Sequence, residues 1–241
     1  MNSTQRFGRC AKAYAAFRPS YPAGAIEAVL EGLGDPAALT IADVGAGTGI
    51  SSRLFADRGP KIIAIEPNEQ MRAAAALHPR VQWHNGNAER TGLRESSVDA
   101  VVACQAFHWF ATAAAMGEFR RIARRRAAIL QYERDERDDF TRAYGEIVRF
   151  YATDDTEAMR LRALTIFERF PAGRVKRSEH SSVQRLDRDA LLGRASSASY
   201  LPAAGPDAER LRTDLRALFA GFAGGGYVEL AIVTYALVAD W

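Results

Sequence analysis

The sequence predicts an α/β fold in which a doubly wound, mostly parallel, seven-stranded sheet carries a helical cap. Between about residues 39 and 132, short β-rich runs alternate with helical runs, which is typical of parallel strands joined by crossover helices. The strand runs are almost continuously apolar, as expected when helices cover both faces of a sheet. After residue 132 a long, charged stretch with helical periodicity follows, and it is too long to be a plain connection.

The elements of the first half are predicted from short runs of letters. The strand candidates are TIADVGA, KIIAIEP, VQWHNGN, SVDAVVACQ and AAILQYE. The helix candidates are SRLFADRG, EQMRAAAALH and TAAAMGEFRRIARR. The arginine cluster FRRIARRR is interpreted as the solvated end of the third helix, where positive charge suits the helix dipole.

The second half supplies the cap and two more strands. RVKRSEHSSVQRL alternates like a strand, a helical stretch follows from about residue 187 to 222, and YVELAIVTYALVADW is the last strand candidate. We therefore expect a single domain over residues 1–241. Its predicted parts are a core of about 35–133, 174–187 and 226–241, an N-terminal arm of 1–30, and a helical cap of about 134–173 and 188–225.

Composition favours an ordinary globular protein and excludes several partners. Hydrophobic residues make up 48% of the 241, and the net charge of +3 is too small to argue for nucleic acid. Cys10 and Cys104 have no metal-site or disulfide spacing. Neither a leader peptide nor a membrane span is apparent. We expect a cytoplasmic protein without metal, membrane or nucleic-acid partners, either a monomer or a homodimer.

The stretch IADVGAGTGI, residues 41–50, predicts a ligand-binding loop. Gly45, Gly47 and Gly49 stand between a strand and a helix, at the end of the strand where ligands bind in such sheets. The dinucleotide fingerprint G-x-G-x-x-G fails because Ile50 replaces its third glycine, and no P-loop lysine follows. Asp43 would repel a pyrophosphate, whereas it suits a ligand with a positive charge.

Glu66 narrows the identity of this ligand. It closes the strand KIIAIEP, about twenty residues after the glycines, where an acid can accept hydrogen bonds from both ribose hydroxyls. A ribose, a cationic amino or sulfonium group and no phosphate together describe S-adenosyl-L-methionine. The alternative is that Asp43 is a turn residue and Glu66 a solvated strand end.

The motif D-x-G-x-G-x-G, with an acid after the second strand, resembles the class I S-adenosylmethionine-dependent methyltransferases. GNAERTGLRESSVDAVVACQAFHWF is similar to the type-11-like, small-molecule branch, and the resemblance implies a Rossmann-like methyltransferase fold. It also implies that Asn87 and Ala88, with Glu89 nearby, hold the adenine. The arm FGRCAKAYAAFRPSYP resembles segments that fold over the cofactor, so Tyr14 and Arg18 are expected near its methionine end.

The expected cofactor-binding residues lie in the arm or after the strands. They are Tyr14, Arg18, Asp43, Gly45, Ala46, Gly47, Gly49, Glu66, Pro67, Asn68, Met71, Asn87, Ala88, Glu89, Gln105 and Trp109.

The run QAFHWF, residues 105–110, is expected beside the transferable methyl group, since aromatic faces stabilise a sulfonium cation. His108 is a candidate general base because its ordinary pKa lies near neutrality, or else it is a structural histidine. The expected substrate-binding residues share a position facing the acceptor. They are Tyr21, His108, Trp109, Tyr132, Ser199 and Tyr200.

The function predicted from these residues is methyl transfer to a small organic acceptor, at a carboxylate, hydroxyl, amine or carbon atom. Such a displacement depends mainly on proximity and orientation. One alternative is a tRNA or other nucleic-acid methyltransferase, which would need a basic channel. Another is a non-catalytic S-adenosylmethionine-binding protein on the same fold, because fold does not fix function.

Overall fold

The sheet predicted from the sequence is present in the structure, a computed structural model that describes residues 17–169 and 175–241. In the described residues the sheet has seven strands in the order β3-β2-β1-β4-β5-β7-β6. Strands β1 to β5 run parallel, and β7 is antiparallel to both β5 and β6. The strands are β1 (Thr40–Val44), β2 (Lys61–Ile65), β3 (Val81–His84), β4 (Val98–Cys104), β5 (Ala123–Arg134), β6 (Val175–Leu186) and β7 (Val228–Asp240).

Helices join the strands and build the cap. In chain order they are α1 (Ala23–Leu30), α2 (Ile50–Ala56), α3 (Glu69–Ala73), α4 (Ala113–Ile122), α5 (Asp139–Tyr151), α6 (Thr156–Glu168), α7 (Arg188–Ser196) and α8 (Pro206–Phe222). Short 3-10 turns cover Pro36–Ala38 and Phe107–Trp109. The α/β class and the doubly wound, mostly parallel sheet are thus confirmed. Among the described helices, none has the length and apolar content to cross a bilayer.

Both faces of the central strands are buried, which explains why those strands are nearly continuously apolar, whereas the edge strands β3 and β6 are partly exposed. On one face, Ile26 of α1 and Phe55 of α2 pack against Val102. On the other face, Phe119 of α4 and Phe167 of α6 join the opposite cluster. The helix α6 therefore packs on the sheet, although it lies within the stretch predicted as cap.

A third apolar cluster forms the cap above the ends of β6 and β7. It contains Tyr144 of α5, Leu191 of α7 and Leu215 of α8, and it reaches the sheet through Leu186 and Val228. The cap thus rests on β6 and β7, so its helices lie beside the carboxyl ends of the core strands.

The interpretation of FRRIARRR as the end of a helix holds for FRRI, whose Arg120 and Arg121 lie in the last helical turn, but not for ARRR. Helix α4 ends at Ile122, and β5 begins at Ala123. Arg126 is buried in β5, where its Nε and Nη2 pair with the Asp240 carboxylate of β7 at 2.6 and 2.9 Å. It also donates to the carbonyls of Val29 and Glu31 at 2.6 and 2.8 Å. These contacts stabilise a strand despite the local helix propensity.

The helix predicted over EQMRAAAALH is shorter than its letters suggest. It ends at Ala73, and only Met71 of the helix is buried. Leu77, which would extend its apolar face, is 94% exposed. Helix propensity without tertiary packing sustains only a short helix.

Candidate active site

A cleft opens at the carboxyl ends of β1, β2 and β4, beneath the arm. Its volume is about 390 Å³, within the range of small-molecule sites. Many of the predicted cofactor and acceptor residues line it: Arg18, Tyr21, Gly45, Ala46, Gly47, Glu66, Pro67, Met71, Asn87, Ala88, Glu89, Gln105, Trp109 and Tyr132. The structure therefore brings together residues that are up to 114 positions apart in the sequence.

The glycine loop owes its shape to two close approaches. Gly45 has a φ of +72°, and a Cβ there would lie 2.7 Å from the Cβ of Ala106. Gly49 has a φ of +74° and begins α2, where a Cβ would lie 2.9 Å from the Trp83 ring. Both positions thus combine a left-handed backbone with a lack of space, so a side chain would push the loop out of place.

Glu66 joins the loop to the end of β2. Its Oε2 accepts the Gly47 N–H at 3.0 Å, and its Oε1 accepts the Asn68 N–H at 2.9 Å. Burial raises the pKa of Glu66, while these two backbone donors oppose the rise. A carboxylate oxygen can accept more than one hydrogen bond, so Glu66 can still accept from ligand hydroxyls in the cleft.

Asp43 lies under the loop and not in the wall of the cleft. It is fully buried, and its Oδ2 accepts from the hydroxyls of Ser51 and Ser52 at 2.7 and 2.6 Å. Its Oδ1 has no hydrogen-bond partner in the described part of the chain. Burial raises the pKa of Asp43 to about 6, against the effect of the two serines. Ser51 does line the cleft, so it separates Asp43 from any ligand.

The loop after β3 presents two different acceptors to the cleft. Asn87 Oδ1 accepts the Arg90 N–H at 2.8 Å and so closes a tight turn. The Glu89 carboxylate, also at the cleft, accepts from the Thr112 hydroxyl at a long 3.5 Å. Ala88 between them is buried. Glu89 therefore keeps more of its accepting capacity for a ligand than the Asn87 side chain does.

Arg18 connects the arm, the core and the cap. Its Nη1 donates to the Tyr132 hydroxyl at 3.3 Å, and its Nη2 donates to the Ser197 carbonyl at 3.1 Å. The Tyr132 ring also packs against Tyr21, with 5.9 Å between the ring centroids. These contacts fix the side of the cleft that faces the cap.

Gln105 has a left-handed backbone with a φ of +51°, which is uncommon outside glycine. Its side-chain amide compensates by pairing with the backbone of Tyr132, donating to the carbonyl at 3.2 Å and accepting from the N–H at 2.8 Å. The strained turn aims the following segment at Gly45 of the loop.

The position of His108 does not favour a role as general base. His108 is buried and does not line the cleft. Burial above all, together with the positive charges of Arg160 and Arg18, lowers its pKa to about 3. A histidine with so low a pKa is neutral at physiological pH and a poor proton acceptor. Its ring instead packs against Trp109, 4.8 Å between centroids.

Several other predicted residues lie away from the cleft. Gly49 and Asn68 support the loops behind its wall, since Asn68 caps α3 by accepting from the Gln70 and Met71 N–H groups. Ser199 and Tyr200 do not line it, and the Tyr200 carbonyl instead accepts from Thr153. Tyr14 lies outside the described residues.

Sequence reasoning missed seven residues that line the cleft. They are Pro19, Thr48, Ile50, Ser51, Cys104, Ala106 and Phe110. Most of them directly neighbour a predicted residue, so extending each motif by one position would have found them. Cys104 was considered only for metal-site or disulfide spacing, because the pattern of β4 does not show that its last residue lines the cleft.

Comparison with known proteins supports the methyltransferase activity expected from the sequence. A methyltransferase-domain family model matches residues 42–130, which span the glycine loop to the middle of β5. The uncharacterized methyltransferase Rv3342 of Mycobacterium tuberculosis is 34% identical over 197 residues, covering 80% of this chain and 76% of that protein. The methyltransferase-like protein C25B8.10 of Schizosaccharomyces pombe is 34% identical over 45% of this chain and 43% of its own.

Solved structures share the fold along most of the chain. That of a proposed type II methyltransferase from Anaeromyxobacter dehalogenans aligns with a TM-score of 0.69 and 25% identity, covering 93% of this chain and 97% of that one. A SAM-dependent methyltransferase from Aquifex aeolicus aligns with a TM-score of 0.51 and 16% identity over 95% and 97%. The predicted enzyme class is thereby confirmed: this chain belongs to the class I S-adenosylmethionine-dependent methyltransferases.

Proposed function

We propose that this methyltransferase binds S-adenosyl-L-methionine in the cleft and transfers the methyl group to a small organic acceptor held under the cap. The observation that carries the proposal is the buried Glu66 carboxylate, which meets the glycine loop in the wall of a cleft of about 390 Å³. A carboxylate in that position suits a ribose and repels a phosphate.

The residues present fit this cofactor. Glu66 offers acceptors for hydroxyl groups, and Glu89 offers one for an amino group. The Arg18 guanidinium suits a carboxylate because its planar fork can bind both oxygens. The Trp109 and Phe110 rings at the cleft offer faces that favour a cation. The buried Asp43 adds negative charge behind the loop, on the side where the ligand would carry its positive charge.

When bound, the cofactor supplies a methyl group that is already activated by a positively charged sulfur. The protein's residues then have three tasks, which are to hold the acceptor in line, to exclude water and to keep the loop rigid. Proximity and orientation alone can supply about 7–11 kcal/mol of barrier reduction. Because His108 stays neutral and lies outside the cleft, we propose that no proton transfer to His108 takes part.

A small acceptor is supported by the limited space. The arm residues Arg18 and Tyr21 close one side of the cleft, and Tyr132 closes another. The cleft is partly enclosed by these side chains, so an extended polymer would have to displace them.

Two measurements test this function. Isothermal titration should show binding of S-adenosyl-L-methionine and of S-adenosylhomocysteine. Incubation with methyl-labelled cofactor and a metabolite extract should then give a labelled product of low molecular mass. Failure to bind either nucleoside, or a label found only in RNA or DNA, would contradict the proposal.

A further inference from the structure

Arg194 in the cap is a buried cation that the proposed cofactor site does not use. It lies in the last turn of α7 and is only 8% exposed. Its Nε and Nη1 are buried without a hydrogen-bond partner, and no carboxylate forms an ion pair with it, among the described residues. Because a buried, unpaired charge is strongly unfavourable, this guanidinium calls for an anion.

The other buried arginines nearby are compensated. Arg160 makes two hydrogen bonds with the Glu133 carboxylate, at 2.7 and 2.9 Å. Arg134 pairs with Glu136 at 3.2 Å and with Glu157 at 2.5 Å. Arg194 thus differs from its neighbours, and the protein's own acids in the described part do not neutralise it. Its position near the carboxyl end of α7 suits the helix dipole, but that dipole leaves both buried nitrogens without an acceptor.

Arg194 lies where the arm meets the cap. The residue before it, Gly193, packs so closely on the Phe17 ring that a Cβ would lie 2.5 Å from it. Three residues later, the Ser197 carbonyl accepts from Arg18, which lines the cleft. Arm contacts therefore flank Arg194 on both sides along α7.

Tyr144, buried in the cap cluster, is affected electrostatically by both Arg194 and Arg18. Burial raises the pKa of Tyr144, and the positive charge of Arg194 opposes this rise, as do those of Arg134 and Arg18. Arg194 and Arg18 thus act on the same hydroxyl. Leu191 and Ala195 of the apolar cap cluster flank Arg194 in the sequence of α7.

We propose that Arg194 recognises a carboxylate group of the methyl acceptor, so that the substrates are small organic acids. This inference rests on the proposed function and names its substrate class. A single guanidinium balances a single carboxylate, whereas a phosphate group carries close to two negative charges at neutral pH. Arg18 lines the cleft and serves the cofactor, whereas Arg194 is not among the cleft-lining residues and serves the part of the acceptor that extends beyond the cleft, between the arm and the cap.

The test compares acids with matched neutral amides. Acetate, succinate and benzoate, their amides and inorganic phosphate are titrated into protein saturated with S-adenosylhomocysteine. We expect at least one acid to bind with a Kd near or below the millimolar range, and its amide to bind roughly tenfold more weakly or worse. R194Q should weaken binding of that acid by about 10- to 100-fold.

Two variants control for charge and fold. R188Q removes the same charge from an exposed position in the same helix and should leave acid binding unchanged. R194K keeps the charge and should retain part of the preference for acid over amide, which also covers the case in which R194Q does not fold. Binding of S-adenosylhomocysteine to each variant reports that the core is intact.

The outcomes distinguish failure of the carboxylate site from failure of the proposed function on which it rests. If the wild-type protein binds S-adenosylhomocysteine but no acid, or binds acids and amides alike, the carboxylate site is refuted and the proposed function stands. Tighter binding of phosphate than of any acid, or full acid binding by R194Q, also refutes it. If the wild-type protein does not bind S-adenosylhomocysteine, the proposed function itself fails.

Discussion

Replacing Glu66 with glutamine tests the central contact of the cleft. Each carboxylate oxygen accepts one backbone N–H, from Gly47 and Asn68, whereas glutamine supplies one oxygen and one NH₂ group. One backbone donor must therefore face another donor. We expect the free energy of unfolding to fall by about 1–3 kcal/mol, the cost of an unpaired buried donor. Burial disfavours the charged form of Glu66 and so raises its pKa, and the neutral glutamine avoids this penalty, which offsets part of the loss.

The effect of E66Q on the cofactor should be larger than its effect on the fold. Hydrogen bonds to a charged acceptor contribute about 1.5–3 kcal/mol, so affinity should fall roughly 10- to 100-fold. Isothermal titration with S-adenosyl-L-methionine measures the affinity, and urea unfolding measures the stability. E69Q removes the same charge from an exposed residue three positions later and should change neither. An E66Q affinity within about threefold of wild type would refute the reasoning.

Three further variants test charges outside the wall of the cleft. Because the pKa of Asp43 is raised from 3.8 to about 6 in the folded protein, wild type loses stability as pH rises through this range. D43N without cofactor should avoid this loss. Urea unfolding should therefore show its advantage over wild type growing by up to about 3 kcal/mol between pH 3 and 8. Because the pKa of His108 is lowered from 6.5 to about 3, wild type loses stability as pH falls through this range, and H108N should show a smaller loss in acid denaturation. The activity of H108N at neutral pH should fall less than the roughly hundredfold expected for loss of a general base. R126A should lose about 2–4 kcal/mol because it removes a buried cation from two carbonyls and Asp240, while the more exposed R124A should lose less than about 1 kcal/mol by the same urea assay. Equal pH profiles for wild type and D43N or H108N, or equal losses in the two arginine variants, would contradict these expectations.

The arrangement of the sheet was predictable because its signals are local. Continuous apolar runs such as the one before Asp43 indicate strands buried on both faces, and the glycine loop marks the end of the first of them. The beginning of β5 was not predictable, because Arg126 belongs to a strand through pairing with Ala100 of β4 and with Asp240 of β7, and Asp240 lies 114 residues away in the sequence. Long-range pairing of this kind overrides local helix propensity.

Which residues belong to the candidate site was more predictable than the direction in which their side chains point. The motif identifies Asp43 and Glu66 equally well, yet only Glu66 reaches the cleft, because serine side chains of α2 cover Asp43. In the same way, QAFHWF identifies both His108 and Trp109, yet only Trp109 lines the cleft, while His108 is buried. Which way a side chain points depends on packing partners that a single motif does not contain.

The position of Arg18 couples the cofactor side of the cleft to the side that faces the cap. A single guanidinium contacts both the strand that borders the proposed cofactor site and the cap helix that bears Arg194. Whichever ligand tightens these contacts first lowers the ordering cost for the other, and thermodynamic reciprocity requires the same enhancement in both directions. Donor and acceptor should therefore bind this enzyme with positive cooperativity, and the acceptor's affinity should depend on the presence of the donor.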